Sequence, residues 1–383
     1  MFLTFFMGFG AGGFQLALLR IAGEFNISSG MVGALVAAQF SAAVVFPVAF
    51  GWLSDAIGKK KVLMIWCAVM VVDCVFIAAF PRVAVFAAGM FFWGAGGSMC
   101  ESTCGAAIND AYEKNRERYM NYVQAFFCLG AAVGPFITDF LFGSGFDWRI
   151  VFIIGGSAYG LGFVFLIFIK IGKPDALRIS GASGVKINKP PYGLLLRPVF
   201  ICLIISITLY VAVETAVSFF LDYLFTEGLS APQFSAAAIS LFWISMMVSR
   251  LISALAGKSE KKLTQLSFLL TALFAAIITF VKNPALALVC CFMLGFSHGP
   301  VWPNIVAFAA REHPDNTGLT SGSMTGGSGF GGALSPVLMG VIADRAGIRA
   351  SFLVFAAVSL VGFLSVTGYI RLKNKAVLNS VCL

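Results

Sequence analysis

Charge is scarce in this sequence. Only 11% of its 383 residues are Asp, Glu, Lys or Arg, against about 25% in an ordinary soluble domain. So few charges cannot solvate the surface of a water-soluble protein of this size, and a soluble enzyme is excluded. There are two histidines. No nucleophile–base–oxyanion set, phosphate loop or dinucleotide fingerprint is present. The glycine-rich run from Gly322 to Gly332 follows no strand and reads as close helix contact. The chain is therefore not expected to be an enzyme or to hold a cofactor. Metal ligands are also short: Cys100 and Cys104 share a helical face, but two thiols and a distant histidine fall below the four ligands of structural zinc. The remaining cysteines, among them Cys67, Cys74, Cys128, Cys202, Cys290 and Cys291, lie in apolar stretches. They read as small packing residues, not as a disulfide framework.

What is abundant is apolar: 59% of residues are hydrophobic, with 40 Phe and 41 Gly. A spanning helix takes roughly 20 apolar residues, so twelve use about 240 and leave about 140 for loops and ends. Apolar segments are expected near 2–22, 30–52, 62–80, 83–108, 118–142, 149–171, 198–225, 232–256, 263–281, 284–309, 317–343 and 349–370. The fold class is an all-α membrane protein of twelve transmembrane helices, embedded in a lipid bilayer. The first segment, from Phe2 towards Arg20, has no small-residue cleavage site and is expected to be a span, not a signal peptide. The longest polar interruption divides the chain into a six-helix bundle over 1–171, a cytoplasmic linker over 172–196 and a second six-helix bundle over 197–383.

The halves repeat. At an offset of 201, Lys60 and Lys61 fall on Lys261 and Lys262, Phe91 on Phe292, Gly94 on Gly295, Gly130 on Gly331 and Pro135 on Pro336. Two pseudo-symmetric halves with a site between them near the midplane is a transporter plan. Net charge is +9, but the basic residues sit in short runs between spans, which indicates topology and not nucleic acid. With the N-terminus cytoplasmic, the inward loops hold 20 basic residues and the outward ones six. Both termini are expected inside, in a cell membrane, with the protein a monomer.

The loop after the second span reads Gly51-Trp-Leu-Ser-Asp55-Ala-Ile-Gly58-Lys59-Lys60-Lys61 and resembles the signature of the major facilitator superfamily. Asp55 there is expected to cap the third helix or to pair with a basic group. Gly130-Ala-Ala-Val-Gly134-Pro135 is similar to a second element of that family, where small residues allow close helix approach and Pro softens the helix. The resemblance implies conformational gating by Gly51, Asp55, Gly58, Lys59, Lys60, Gly130, Gly134 and Pro135. Within the superfamily the chain resembles the fucose permease-like sugar symporters at Cys100-Glu101-Ser-Thr-Cys104, Tyr210-Val-Ala-Val-Glu214 and Gly295-Phe-Ser-His298-Gly-Pro300-Val-Trp302-Pro303-Asn304. It departs in the first span, where those symporters often carry an acid and this chain has Gly13, Phe14 and Gln15.

An ionised side chain at the bilayer centre costs at least about 2.5–3.5 kcal/mol, so each one inside a span needs a partner or a wet cavity. Glu101 and Glu214 lie deep within spans four and seven. Each is a candidate for proton coupling or substrate contact, or else a buried acid joining two helices. His298, the only histidine in a span, either contacts substrate and relays protons or makes an interhelical bond. Asn304 offers an amide to vicinal hydroxyls, Trp302 an indole face to a pyranose ring. Gln15, Gln39 and Gln124 are neutral amides suited to a polyol. Pro300 and Pro303 are expected to free backbone carbonyls. Asp73, Asp110, Asp139, Asp222 and Arg250 lie nearer span ends, where pairing or snorkelling is the commoner role; Arg250 is assigned to gating.

The leading expectation is a secondary active transporter importing a small neutral solute, a hexose or deoxyhexose, with protons; sodium is the other candidate coupling ion. An exporter of drugs or metabolites is the alternative within transport, and a non-transporting membrane solute sensor the alternative of another class.

Overall fold

The structure is a computed structural model that describes residues 1–27, 29–80, 82–169, 171, 191–256 and 260–381. Twelve helices are numbered here in chain order: α1 Phe2–Phe25, α2 Ser29–Phe50, α3 Lys59–Ala79, α4 Val83–Ala111, α5 Arg116–Gly143, α6 Arg149–Phe168, α7 Pro198–Tyr223, α8 Ser235–Ala256, α9 Glu260–Phe280, α10, α11 Thr317–Ala346 and α12 Ile348–Val381. The tenth is broken into α10a, Pro284–His298, and α10b, Val301–Glu312. Ten of these segments are long and apolar enough to cross a membrane, α10a and α10b counting as one. α1 and α2 contain the shorter apolar stretches Phe2–Leu18 and Leu35–Phe50. The expected linker lies largely outside the described residues; its last five, Tyr192–Leu196, form a short 3-10 helix.

Local sequence sets the ends. Asn283 begins α10a by accepting from the amides of Ala285 at 2.9 Å and Leu286 at 3.2 Å, with Pro284 supplying the first helical φ. Asn26 closes α1 in the left-handed region at φ 49°. Gly58, at φ 96°, turns a one-turn helix, Leu53–Ile57, into α3. Outward faces carry large apolar side chains such as Phe140, Phe168, Leu255 and Phe280, which stand exposed as a bilayer-facing belt.

The packing explains the internal repeat. In the first half α1 pairs with α5, α2 with α4 and α3 with α6; in the second α7 pairs with α11, α8 with α10a and α9 with α12. The glycines that coincide at the 201-residue offset occupy equivalent contacts. A methyl group on Gly94 would lie 2.0 Å from the Gln39 carbonyl oxygen of α2, and one on Gly295 would lie 2.1 Å from the Phe242 oxygen of α8. One on Gly130 would lie 2.0 Å from the Phe5 oxygen of α1, and one on Gly331 would lie 2.2 Å from the Thr208 oxygen of α7. Only glycine permits backbones this close.

The halves meet where α2 packs on α11 and α5 on α8. On the first of these seams Gly318, Gly322, Gly326 and Gly329 of α11 lie against Pro47, Val48, Val44 and Ala43 of α2 and against Gly51. The glycine run is thus the close helix contact that its composition suggested.

Candidate functional site: a cavity between the halves

A cavity of about 260 Å³ lies between the two bundles. Its polar wall includes Gln15, Gln39, Glu101 and Gln124 from the first half and Glu214, Arg250, Thr325 and Ser328 from the second; Trp93, Trp243 and Trp302 supply ring faces. Glu101, on α4, accepts from the Gln124 amide of α5 at 3.3 Å. Glu214, on α7, accepts from the Tyr210 hydroxyl at 2.7 Å and stands 3.7 Å from the Arg250 guanidinium. The two carboxyls therefore have different company: a neutral amide for one, a phenol and a cation for the other.

Arg250 is not at a span end. It is buried at the cavity wall, donating from Nε to the Gly299 carbonyl at 2.9 Å, from Nη1 to the Gln124 carbonyl at 2.9 Å and the Cys128 Sγ at 2.9 Å, and from Nη2 to Tyr210 at 3.1 Å. Gly299 can accept because the residue four positions on is Pro303, which has no N–H to give it. Here the carbonyl freed by proline is taken by an arginine. Since Gln124 belongs to the first half, Arg250 ties the halves together at the site. The sequence assigns Arg250 to gating near a span end, and the structure instead sets it in the cavity wall; Tyr210, quoted only as part of a motif, is the partner that joins it to Glu214.

Two residues expected at the substrate lie elsewhere. His298 stacks behind Tyr210, ring centroids 4.0 Å apart, with Nε2 3.1 Å from the Tyr210 carbonyl and Nδ1 3.5 Å from Thr271; it does not line the cavity. Asn304 is fully buried towards the lysine-rich end, accepting from Asn121 of the first half at 2.9 Å and donating to Thr264 at 3.1 Å. It is a bond between the halves. Trp302 does reach the wall, anchored by an indole N–H to Ser328 bond of 3.0 Å.

The lysine-rich end, called the basic end below, is held shut by a denser network. Asp55 accepts from the backbone amides of Gly318 at 2.8 Å and Leu319 at 3.0 Å. These are free donors in the first turn of α11, whose own N-cap residue, Asn316, contributes no side-chain bond. Asp55 thus caps α11 of the opposite half and not α3, while the expected basic partner is Lys59 at 2.9 Å. Lys59 also pairs with Asp110 at 2.7 Å, and Asp110 accepts from Thr317 at 2.7 Å. Arg311 pairs with Glu117 across the same boundary. Gly51 packs against Gly318, and Lys60 donates to the Ile167 carbonyl at 3.0 Å. Gly130 and Gly134 face the Phe5 and Phe9 carbonyls of α1, and Pro135 meets Gly12.

At the opposite end the pairs among the described residues lie within each half: Arg149 with Glu24 and Asp147, Arg349 with the carbonyls of Gly228, Thr279 and Val281. The Arg149 guanidinium holds the Glu24 carboxyl below the usual range, over a smaller opposing effect of burial. The two bundles are therefore tied together at the basic end, with the cavity at their middle.

The family model of the Major Facilitator Superfamily matches residues 1–324 and 258–380, and the chain belongs to that superfamily. Among its relatives, uncharacterized transporters of Schizosaccharomyces pombe are 25% identical over 275 residues, 63% of this chain and 56% of theirs. The chain thus matches little more than half the length of those proteins. The galactose-proton symporter of Escherichia coli is 31% identical over 134 residues, 35% of this chain and 29% of that protein. Multidrug resistance protein 2 of Bacillus subtilis is 25% identical over 353 residues, 88% and 86%. In fold the chain resembles the transporter FucP in the outward conformation, with a TM-score of 0.77, 16% identity and coverage of 96% and 97%. It equally resembles the human organic anion transporter MFSD10, with a TM-score of 0.76, 15% identity and coverage of 95% and 97%.

Proposed function

We infer that this transporter carries a small polyhydroxylated solute, a hexose or deoxyhexose, into the cell together with protons. One observation supports it above the others: a carboxyl from each half, Glu101 and Glu214, faces one cavity among three glutamine amides and three indole rings. Amides donate and accept to vicinal hydroxyls, and indole faces pack on the C–H face of a pyranose. The volume, about 260 Å³, falls below the roughly 300–1,000 Å³ of drug-sized pockets, which favours a sugar over a bulky drug. Glu101 is the proton carrier: its partner is a neutral amide, so either protonation state can be accommodated, whereas Glu214 beside Arg250 serves substrate and structure. The basic end faces the cytoplasm by the lysine and arginine asymmetry, so the cavity is presented outward. A chemical gradient then drives the exchange of states as binding changes their relative populations.

Uptake into proteoliposomes of a panel of hexoses, deoxyhexoses and cationic dyes, with pH and sodium gradients imposed separately, tests this reading. Accumulation of one sugar on an inward proton gradient is expected. Movement of dyes alone would replace it with drug efflux.

A further inference from the structure

Five buried side chains at the cavity and beneath it carry polar atoms that no other described group satisfies. They are Thr325 Oγ1 and Ser321 Oγ on α11, both amide atoms of Asn109 on α4, and Asn121 Oδ1 and Glu117 Oε1 on α5. All are at most 3% exposed. Buried polar groups are satisfied more than about nine times in ten, so a cluster of this kind marks bound water, each molecule needing two to four polar partners.

Their positions are ordered. On α4, Glu101, Gly105 and Asn109 fall at successive i, i+4 steps; on α5, Gln124, Asn121 and Glu117 follow at steps of three and four in the other direction; on α11, Thr325 and Ser321 are one turn apart. Each stripe starts at a cavity residue, Glu101, Gln124 or Thr325, and runs towards the basic end over about 10 Å on α5. They converge at Gly105, where a methyl group would meet Met120 of α5 at 3.6 Å, Val306 of α10b at 3.8 Å and Ser321 of α11 at 3.9 Å. The stripes end at Glu117, which also lines a second cavity of about 450 Å³ at the basic end, beside Lys261, Arg311 and Lys373. The charged groups around Glu117 are Arg311 from α10b, Arg116 from α5 and Glu260 from α9.

We propose that these side chains hold a water file joining Glu101 to Glu117, by which, once the cavity has closed to the outside, the coupling proton leaves on the basic side while the solute gate there is still shut. The Glu101 carboxyl gives its proton to the file and becomes a carboxylate; the excess proton passes along the waters to the Glu117 carboxylate, which releases it to bulk water in the second cavity. Solute and proton then part by different routes, the solute waiting for the Asp55 network to open. This rests on the reading of Glu101 as the proton carrier, whose own failure shows separately as gradient-driven accumulation surviving in Glu101→Gln.

Radiolytic hydroxyl labelling of the purified protein tests the file without transport. Met120 is 1% exposed and Met90, in the apolar core of the first half, 0%. Met120 is expected to oxidise several-fold faster than Met90, and to slow in Asn109→Leu, which fills the route; equal rates for the two methionines would overturn the file. In proteoliposomes Glu117→Gln, which also loosens the Arg311 pair, is expected to cut pH-driven accumulation several-fold more than it cuts counterflow, and Glu117→Asp to keep accumulation near the wild-type level. Unchanged accumulation, or counterflow lost in parallel, would overturn the release role.

Discussion

Replacing Asp55 by Asn should open the basic end without touching the cavity. Asp55 accepts two amide bonds at the start of α11 and holds Lys59, so the carboxylate stabilises the closed arrangement through charge on two hydrogen bonds and a helix N-terminus. Asn keeps one acceptor oxygen and loses the charge. Hydrogen bonds to ionised groups contribute about 1.5–3 kcal/mol, and a charge at a partly buried helix end up to about 2 kcal/mol. Because Asn retains part of the first and Lys59 stays paired with Asp110 at 2.7 Å, a net cost of about 1.4 kcal/mol to the closed state is expected, a tenfold shift in the ratio of states. Spin labels at Lys61 and His313, in a background without reactive cysteines, report the separation of the halves there by electron–electron resonance. The long-distance population should rise about tenfold relative to the short one, with solute affinity nearly unchanged. An unaltered distance distribution would refute the capping role.

Three further outcomes follow from the same geometry. Arg250→Ala leaves Glu214 without its cation and is expected to cost about 3–5 kcal/mol; adding Glu214→Gln should recover part of that loss in thermal unfolding, and strict additivity would contradict the pairing. Gly130→Ala places a methyl group 2.0 Å from the Phe5 oxygen and should destabilise by about 1–3 kcal/mol, whereas Gly340→Ala meets nothing within 4 Å and should stabilise α11 by about 0.5–1 kcal/mol; melting temperatures of the two variants should move in opposite directions. The Glu24–Arg149 pair lowers the Glu24 carboxyl, so its small contribution is complete above the ordinary Glu range near pH 4.3 and is lost as pH falls through the lower folded value. Arg149→Gln should remove that part of the acid sensitivity, seen as a flatter melting temperature between about pH 5 and 3.

The spans were legible because apolar runs of membrane length need no tertiary information, and the repeat because glycine at a carbonyl contact leaves an identity in the sequence. The break in α10 was legible from Pro300 and Pro303. What could not be read was which way a helix turns and what lies opposite. Trp302 faces the cavity, and Asn304, two residues on, lies about 200° round the helix, so it points to Thr264 and Asn121. His298 is separated from Trp302 by the helix break, which resets the face. Arg250 stands six residues from the end of α8, about 9 Å, and its long side chain reaches inward to a carbonyl that only the proline of another helix leaves free. Asp55 finds its amides 263 residues away. No local pattern carries such a partner.

The central claim, that Glu101 carries the coupling proton, is tested most directly in Glu101→Gln. Glutamine keeps a donor and an acceptor of similar size but cannot release a proton. Once the panel has identified a transported sugar, counterflow of that sugar in proteoliposomes is predicted to persist, while uphill accumulation on an imposed pH gradient disappears. Accumulation surviving in Glu101→Gln at the wild-type level would contradict the account and place the proton on another group.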